Sequence, residues 1–397
     1  MTCPGCKRTA AYHAQAARTL VSLFGPLRYQ RAYYYCRCCG QGHYPFDAQA
    51  GLPAHHLTPA VERLASLAGG VSPSFEKGAE LLEEMSGVSL SESTVERTTE
   101  DVGDYLALLQ SQGITFGPRV VWSWRLDAQG RRVAYVSLDA TGTRQQGPGG
   151  RSAEGRMAYV ASIFNPPPVA EVIPPVPHPK REALRARYLA GLYELHEMGP
   201  LLRRVAERVG MEQAQVWIAL TDGGNGLEGF MQQNFNRSDL VLILDFYHAA
   251  SYLEKLAKAL HPQDEAASQS QAEQWCSLLK AEGGAVVLEV LRHWDWPLRK
   301  SAALREQLET VLSYFANNVH RMEYPEYLAA GWHIGSGVVE SACKTVVGQR
   351  LKGPGMRWGE DGAHALCHVR ALYRSEKGQW QAFWHRVFSE PSVQQAI

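Results

Sequence analysis

Three carboxylates lie in settings that suit metal-assisted phosphate chemistry. Asp139 follows the apolar run 133–138, Asp222 follows the apolar run 216–221, and Glu340 lies at the opening of a predicted helix. Phosphodiester chemistry often uses two Mg²⁺ (or Mn²⁺) ions roughly 3.5–4 Å apart, and such ions prefer oxygen ligands. The sequence therefore predicts a Mg²⁺ site at Asp139, Asp222 and Glu340, with a catalytic role for each.

Each of these carboxylates also has an ordinary structural explanation. An aspartate after a strand is often a turn or cap residue, and Glu340 has the i,i+4 spacing to Lys344 that is typical of a surface ion pair. The order of the three residues favours the catalytic interpretation. Adjacent strands of one sheet would bring the two aspartates together, and a later helix would add the glutamate.

Asp245 and His248 are accessory candidates beside this site. Asp245 follows the apolar run 240–244 and opens the amphipathic segment 246–260, so it is also a natural helix N-cap. His248 lies one turn into that segment, where it either packs in the core or contacts the site.

Basic residues follow Glu340 closely. Phosphate contact beside the metal site is one interpretation of them, and a solvated helix face is the other. A tryptophan in the same stretch could stack on an unpaired base. The DNA-binding candidates are Lys344, Arg350, Lys352, Arg357 and Trp358.

Five of the eight cysteines fall within residues 1–39, in the two pairs Cys3-Pro-Gly-Cys6 and Cys36-Arg-Cys-Cys39. Two C-x-x-C pairs supply the four thiolates that a structural Zn²⁺ needs, and a hairpin broken at Gly25-Pro26 would bring the pairs together. The predicted ligands are Cys3, Cys6, Cys36 and Cys39, although Cys38 could replace Cys39.

The segment 1–47 carries six Lys or Arg and one acid, Asp47. One face of its second strand is basic and aromatic, which makes nucleic-acid contact plausible for this module. The residues of that face are Leu27, Tyr29, Arg31, Tyr33 and Tyr35.

The composition is that of an ordinary globular protein with two or three domains. The 397 residues are 45% hydrophobic and 20% charged, and 40 basic residues balance 40 acidic ones. A neutral total neither supports nor excludes nucleic acid as a partner. No apolar run approaches the ~20 residues of a membrane helix, and no signal peptide is recognisable. We therefore expect a cytoplasmic protein, associated with the nucleoid when bound to DNA.

The hydropathy pattern divides the chain into five parts and predicts the α/β class for its centre. The parts are a zinc ribbon (1–50), a helical segment (55–115), an α/β segment (119–260), an all-helical segment (261–335) and a C-terminal helical part (336–397). Within the centre, the runs 120–124, 133–138, 157–164, 216–221 and 240–244 predict strands, 166–179 predicts a proline-rich loop, and 181–210 and 226–234 predict helices.

Residues 74–106 have the outline of two helices joined by a turn. Ser74 and either Ser91 or Ser93 are predicted N-caps, and Gly87 is a predicted helix end. This outline suits a DNA-binding helix-turn-helix, and it equally suits a plain αα-hairpin that only packs.

The C-terminal motifs resemble those of a known family. Gly335-Ser-Gly-Val-Val-Glu-Ser-Ala-Cys-Lys344, Gln349-Arg-Leu-Lys352 and Gly355-Met-Arg-Trp358 resemble the signature of the ISKra insertion-sequence transposases, which are bacterial DDE transposases related to the Mutator-like group. Tyr33-Tyr-Tyr-Cys-Arg-Cys-Cys39, Thr221-Asp-Gly-Gly224 and Asp245-x-x-His248 also fit. The resemblance extends from Cys3 to about Arg374, and the Glu340 segment is its most specific part.

The resemblance implies an RNase H-like catalytic core with an all-helical insertion before Glu340. It also implies DDE roles for Asp139, Asp222 and Glu340, and Mg²⁺-dependent strand cleavage and transfer at terminal inverted repeats of double-stranded DNA. A homodimer or larger assembly is expected in the DNA complex. Two features depart from the family: Ala140 stands where many relatives have glycine, and Cys3 lies almost at the first residue, which would fit a shortened copy.

Two other functions stay open at the level of the sequence. A non-catalytic, transposon-derived DNA-binding protein would use the zinc ribbon and the helix pair alone. A metal-dependent DNA nuclease would use the three carboxylates for hydrolysis without strand joining.

Overall fold

A small antiparallel sheet opens the chain. The computed structural model describes residues 1–52, 55–117, 120–166, 184–224, 226–297 and 301–389. Strands β1 (Ala11–Ser22) and β2 (Gly25–Tyr35) pair from Ala11↔Tyr35 to Ser22↔Gly25, and β3 (Gly42–His43) pairs with the end of β2. Gly25 adopts the left-handed φ of +97° that the tight turn requires. The predicted hairpin is therefore confirmed, and a short helix, α1 (Pro45–Gln49), follows it.

Three helices connect this sheet to the rest of the protein: α2 (Pro59–Val71), α3 (Phe75–Ser86) and α4 (Glu92–Ser111). The Ser74 hydroxyl accepts the Lys77 N–H at 3.1 Å, and the Ser91 hydroxyl accepts the Thr94 N–H at 3.3 Å. Gly87 ends α3 at a φ of +68°. These caps confirm the predicted helix starts and the predicted end of α3, whereas α4 continues past the predicted end at residue 106 to Ser111.

The surroundings of α3 and α4 favour the plain αα-hairpin over a DNA-reading motif. At Gly103 of α4, an added Cβ would lie 2.2 Å from the carbonyl oxygen of Ala365, so α4 packs tightly against the helix 360–374. The exposed surfaces of the two helices are mainly acidic, which disfavours a DNA groove. The exposed acids are Glu76, Glu80, Glu83, Glu84, Glu92, Glu96, Asp101 and Asp104.

A half-buried acid next to this acidic surface, Glu100, should make stability pH-dependent. Burial, with Glu96 adding to it, raises the pKa of Glu100 to about 7. Because the folded state holds this proton more tightly than the unfolded state, stability should be lost as the pH rises from the ordinary glutamate pKa, near ~4.3, through about 7. Glu100→Gln should therefore stabilise the protein at pH 8 by about 1–2 kcal/mol, after allowance for solvent screening, and much less at pH 5.

Thermal unfolding at the two pH values measures this effect. Glu84→Gln removes an exposed acid from α3 and serves as the control. An equal gain in unfolding temperature for Glu100→Gln at pH 5 and pH 8 would show that the raised pKa of Glu100 is not the cause.

A six-stranded mixed sheet forms the centre of the protein. Its strands are β4 (Arg125–Leu126), β5 (Arg132–Gln146), β6 (Ser152–Asn165), β7 (Arg185–Gly191), β8 (Val216–Thr221) and β9 (Leu240–Leu244). The order is β7-β6-β5-β8-β9, and β4 pairs with β5. Strands β5, β6 and β7 are antiparallel neighbours, whereas β8 is parallel to β5 and β9 is parallel to β8.

Two of the predicted elements are wrong. The run 120–124 is irregular rather than a strand, although Trp122 and Trp124 are buried in the core. The segment predicted as one helix over 181–210 contains strand β7 before helix α5 (Leu195–Arg208), and residues 181–183 lie outside the described residues. Pairing with β6 from Tyr159↔Gly191 to Asn165↔Arg185 overrides the helix propensity of this Ala- and Leu-containing stretch.

Helices cover both faces of the sheet. One face packs Val133, Tyr135 and Ile218 against α7 (Phe246–Leu260), α8 (Glu265–His293) and α9 (Ala302–Asn318). The opposite face packs Ala134, Val136 and Ala219 against α5 and α6 (Leu227–Asn234). The strands alternate between these two cores with the expected period of two. The predicted α/β class is confirmed as a mixed sheet with many helices.

The remaining helices are α10 (Tyr324–Ala329), α11 (Gly337–Ala342), α12 (Gln349–Leu351), α13 (Glu360–Arg374) and α14 (Gln379–Ser389). A π-helical segment, Cys343–Gly348, joins α11 to α12. No helix in the described part of the chain combines the length and apolar character needed to cross a lipid bilayer.

Candidate active site and candidate zinc site

Three aspartates lie level with one another across neighbouring parallel strands. Strands β5 and β8 pair from Val133↔Val216 to Ser137↔Leu220, and continuing that register by two residues brings Asp139 opposite Asp222. Strands β8 and β9 end with the pair Thr221↔Leu244, so the next residues are Asp222 and Asp245. Since alternate strand residues share a face, Asp139 lies on the same face as Tyr135, towards α7 and α9.

The position of Asp139 within its strand corrects the sequence interpretation. Asp139 lies in the middle of β5, opposite Val160 of β6, and does not follow the end of a strand. Strand β5 continues to Gln146 because β6 stays paired with it after β8 has ended. Asp222 does follow its strand directly, as predicted.

Asp139 and Asp222 together form a negatively charged site. The Asp139 Oδ1 atom accepts the Ala140 N–H at 2.6 Å, and the Asp222 Oδ1 atom accepts the Gly224 N–H at 2.8 Å. Burial raises the pKa of Asp139, and the nearby Asp222 adds to the rise. Among the described residues, neither carboxylate forms an ion pair. Two close carboxylates without a cationic partner fit the ligand preference of Mg²⁺.

The helix that carries Glu340 lies against these aspartates. Cys343, one turn after Glu340, is buried, and its thiol lies close enough to the Asp139 carboxylate that each group shifts the pKa of the other. Burial is the main cause that raises the pKa of this thiol, and the negative charge of Asp139 raises it further. The Glu340 side chain is itself exposed. Its helix widens into the π-helical segment at Cys343, a distortion that is frequent at functional sites.

The three carboxylates are not gathered around a single point. Among the described residues, only a group of four cysteines brings three or more metal-ligand atoms within 4.8 Å of one another. Three oxygens bound to one Mg²⁺ at about 2.1 Å would have to lie within roughly 4.2 Å of each other. The spacing of Asp139, Asp222 and Glu340 therefore does not suit one ion shared by all three.

Hydrogen bonds to β5 and α7 hold the segment 330–336, which leads into α11. We call this hydrogen-bonded segment the strap. The His333 N–H donates to the Tyr135 hydroxyl at 3.1 Å, and the Ile334 carbonyl accepts the Phe246 N–H at 2.9 Å. The Ser336 hydroxyl donates to the Asp245 carboxylate. This strap ties the helix of Glu340 to the strands of the aspartates.

Asp245 is the N-cap of α7 and also the anchor of the strap. Its Oδ1 atom accepts the Tyr247 N–H at 2.8 Å, which confirms the cap interpretation, and its side chain is buried. The His248 ring lies 6.0 Å from the Tyr314 ring, whose hydroxyl donates to the Asp222 carbonyl at 3.0 Å. A positive charge on His248 would lower the pKa of Asp139, so His248 borders the site.

Breaking the anchor should loosen the helix of Glu340. Asp245→Ala removes the cap and leaves the buried Ser336 hydroxyl without its acceptor, so we expect a loss of about 2–3 kcal/mol in the free energy of unfolding. Ser336→Ala removes only the hydroxyl and should cost about 1 kcal/mol. Amide hydrogen exchange over 337–342 should be faster in Asp245→Ala than in Ser336→Ala. Equal exchange in both variants and the wild type would show that the strap does not hold α11.

The basic residues after Glu340 separate into exposed and buried groups. Lys344, Lys352 and Arg357 are exposed. The Lys352 ammonium contacts the hydroxyl of Thr141, which lies two residues beyond Asp139 on β5. A cation therefore lies within reach of a phosphate bound at the aspartates.

The prediction that Arg350 and Trp358 contact DNA is wrong, because both side chains are buried. Arg350 is 1% exposed, lies over the rings of Phe75 and Trp358 at 4.4 and 4.9 Å, and donates to the Gly69 carbonyl at 3.2 Å. Trp358 is 8% exposed, and its ring N–H donates to the Leu351 carbonyl at 3.1 Å. Both side chains stabilise the packing between the helical segment and the core.

Sequence reasoning assigned no role to Cys343, Ser336 or Tyr135, although all three lie within segments that it singled out. Cys343 could have been found, because its i,i+3 spacing from Glu340 places both residues on one face of the helix. Ser336 and Tyr135 act through contacts between distant parts of the chain, and no local pattern indicates them.

The four predicted zinc ligands lie together at the end of the small sheet. The sulfur atoms of Cys3 and Cys39 are 3.6 Å apart, and those of Cys6 and Cys36 are 3.5 Å apart. Tetrahedral Zn²⁺ with bonds of about 2.3 Å separates its sulfur ligands by roughly 3.8 Å, whereas a disulfide needs about 2.05 Å. This group can therefore bind a structural metal such as zinc. Cys38 is exposed and lies outside the group.

The two cysteine pairs have the same backbone frame. The Lys7 N–H donates to the Cys3 carbonyl at 3.0 Å, and the Gly40 N–H donates to the Cys36 carbonyl at 2.9 Å. Lys7 and Gly40 occupy equivalent positions with φ values of +60° and +72°. Hydrogen bonds from backbone N–H groups, chiefly that of Cys6, lower the pKa of Cys3. They therefore favour the thiolate form that binds metal.

No protein-family model matches this chain, and no curated protein sequence matches it.

Proposed function

We propose that this protein is a DNA transposase of a bacterial insertion sequence, with Asp139, Asp222 and Glu340 as its catalytic carboxylates. The observation that carries the proposal is that Asp139 lies beside Asp222, which directly follows the parallel strand β8, on the face where the helix of Glu340 packs. Neither aspartate forms an ion pair among the described residues. The motif resemblance to the ISKra transposases supports the same residues.

The topology of the sheet supports an RNase H-like core. In chain order from β5, the strands lie as 3-2-1-4-5, with only the second antiparallel to its neighbours on both sides. This mixed sheet, with helices on both faces, is compatible with the RNase H-like core that the motif resemblance implies. The helices between β9 and Glu340 correspond to the insertion that the resemblance implies.

The carboxylates fit a pair of Mg²⁺ or Mn²⁺ ions, which would activate the attacking oxygen and stabilise the leaving oxygen. Asp139 lies beside Asp222 and, through Cys343, beside the helix of Glu340, so it is the natural shared ligand. Lys352 would neutralise a bound phosphate, and Lys344 and Arg357 would extend this contact along the backbone. The strap through Asp245 would hold Glu340 in reach of the ions.

The test uses the full-length, zinc-loaded protein and DNA duplexes that carry the sequences flanking its gene. With Mg²⁺, a transposase should release a 3′-hydroxyl at the element end and join it to a second duplex, and the joined product should be recovered. Nicked DNA without joined product would favour the nuclease. Specific binding without any cleavage in Mg²⁺ or Mn²⁺ would favour the non-catalytic DNA-binding protein.

A dimer or larger assembly on paired DNA ends is part of the proposal. An insertion sequence has two ends, each of which must be cleaved and transferred, so one complex should contain at least two copies of the chain. Light scattering of the protein with and without end duplexes measures this stoichiometry.

A further inference from the structure

The small N-terminal sheet distributes its charge unevenly between interior and surface. Asp47 is the only acid in residues 1–52. It is buried, its Oδ2 atom accepts the Arg18 guanidinium at 2.8 Å, and its Oδ1 atom accepts the Tyr29 hydroxyl at 2.9 Å. The Arg31 guanidinium also pairs with it and stacks over the Tyr44 ring at 3.6 Å. The single negative side chain of this segment is therefore buried and already paired.

The remaining cations of the segment all face solvent. They are Lys7, Arg8, Arg28 and Arg37, and none of them forms an ion pair among the described residues. A Zn²⁺ with four thiolates would add two negative charges, which the basic side chains still outnumber. The outer surface of this module is therefore cationic next to the cysteine group.

Two of these arginines line one shallow cavity. Its walls are Arg8, Thr9, Ala11, Tyr35, Arg37 and Cys38. Arg8 follows the first cysteine pair and Arg37 lies within the second, so the cysteine group brings the backbones of the two arginines near each other. The Arg8 carbonyl accepts the Cys3 N–H at 2.7 Å, which anchors its backbone. We call this feature the arginine cup.

The aromatic residues of β2 do not form a stacking platform for unpaired bases. Tyr33 packs against His13 and Tyr44, with ring centroids 5.5 and 5.1 Å apart, and Tyr34 packs against Tyr12 at 5.9 Å. Single-strand sites usually present several open aromatic faces, whereas the cup is lined by one ring, that of Tyr35. Two exposed arginines that line one open cavity suit the phosphates of a duplex backbone.

We propose that the arginine cup of Arg8 and Arg37 is a phosphate-binding site for duplex DNA, separate from the carboxylate site. This site differs from the basic face that the sequence indicates, because Arg31 and Tyr29 are held by Asp47. The assignment of DNA as the ligand rests on the proposed function, but its test does not require catalysis.

The experiment measures binding of a fluorescent 30-base-pair duplex by the zinc-loaded, full-length Asp139→Asn protein. Arg8→Ala with Arg37→Ala should weaken binding roughly tenfold at low salt and reduce the salt slope of log K by about 1.8, as expected for two lost phosphate contacts. Arg28→Ala with Arg97→Ala removes two exposed arginines outside the cup and should change both values little. Zinc content and the unfolding temperature of all variants check that the fold is kept.

Three outcomes would overturn the proposal. Equal losses in the two double variants would show that only net charge matters, and unchanged binding in the cup variant would show that the cup does not contact DNA. An equal or greater loss on a single-stranded 30-mer would assign the cup to single strands instead. Binding is measured with the Asp139→Asn protein, so it does not depend on catalysis. If the unmodified protein fails the strand-transfer assay while binding still depends on the cup, only the proposed catalysis is rejected.

Discussion

Asp139→Asn and Asp222→Asn are each expected to lower the rate of Mg²⁺-dependent strand cleavage on the order of 10³-fold or more. The amide keeps the Oδ1 acceptor for the Ala140 N–H at 2.6 Å and the Gly224 N–H at 2.8 Å, so the local backbone should be preserved. The change removes the negative charge that the ions need. Single-turnover cleavage of a labelled end duplex measures the rate.

The same variants should behave differently in the absence of DNA. Burial and Asp222 raise the pKa of Asp139, so its charge destabilises the metal-free protein once the pH exceeds the ordinary aspartate pKa. Asp139→Asn should therefore unfold at a higher temperature than the wild type at pH 7 without metal. The wild type should gain stability when Mg²⁺ or Mn²⁺ is added, and Asp139→Asn should lose that gain.

Glu340→Gln and Asp239→Asn complete this series. Glu340→Gln should abolish cleavage to a similar extent, although its exposed side chain should leave the metal-free unfolding temperature almost unchanged. Asp239 pairs with Arg237 at the opposite end of β9, so Asp239→Asn is the matched control and should keep full activity. Wild-type cleavage rates in any one of the three carboxylate variants would remove that residue from the site.

The sequence predicted the local elements that depend on short-range signals. The strands 216–221 and 240–244 and the helix 246–260 agree with the structure residue for residue. Their apolar runs are bounded by aspartates and glycines that mark strand ends and caps, so neighbouring residues in the sequence determine the boundaries. The cysteine quartet was equally accessible, because two C-x-x-C pairs around a hairpin leave few other arrangements.

Features decided by tertiary contacts were not accessible in this way. The strand β7 is an Arg-, Ala- and Leu-containing stretch that becomes a strand only because β6 pairs with it. Arg350 and Trp358 have the composition of a DNA-binding surface, but the ring of Phe75, far away in the sequence, covers them. Burial of a charged side chain against a distant element has no signature in a single sequence.

The candidate site itself was only partly predictable. Two aspartates after apolar runs and a later glutamate suggested a shared sheet, but not that Asp139 lies inside its strand. The register that brings Asp139 opposite Asp222 depends on the parallel pairing of β5 with β8, which the sequence does not encode locally. The strap from Tyr135 and Asp245 to the helix of Glu340 also arises from contacts between distant segments.

Cys39→Ser is expected to abolish tight zinc binding, whereas Cys38→Ser should leave it intact. The Cys39 sulfur lies 3.6 Å from the Cys3 sulfur within the ligand group, and Cys38 is an exposed thiol outside it. The two variants make the same chemical change at adjacent positions, so they separate ligation from general loss of a thiol. Metal analysis after competition with a chelator should give about one zinc per chain for the wild type and Cys38→Ser, and far less for Cys39→Ser.

The loss should extend to the fold of the N-terminal sheet, because the metal would replace a hydrophobic core there. The buried apolar residues around the cysteine group are only Cys3, Ala10 and Cys36 in the described part of the chain. Structural zinc in small domains contributes roughly 10–16 kcal/mol, far more than three small side chains can. In Cys39→Ser, backbone amides of β1 and β2 near the cysteines should therefore exchange rapidly, while amides of β5 and β8 should stay protected. Equal zinc content in both variants would show that Cys38 replaces Cys39 as a ligand, and protected β1 amides without zinc would show that the sheet folds without metal.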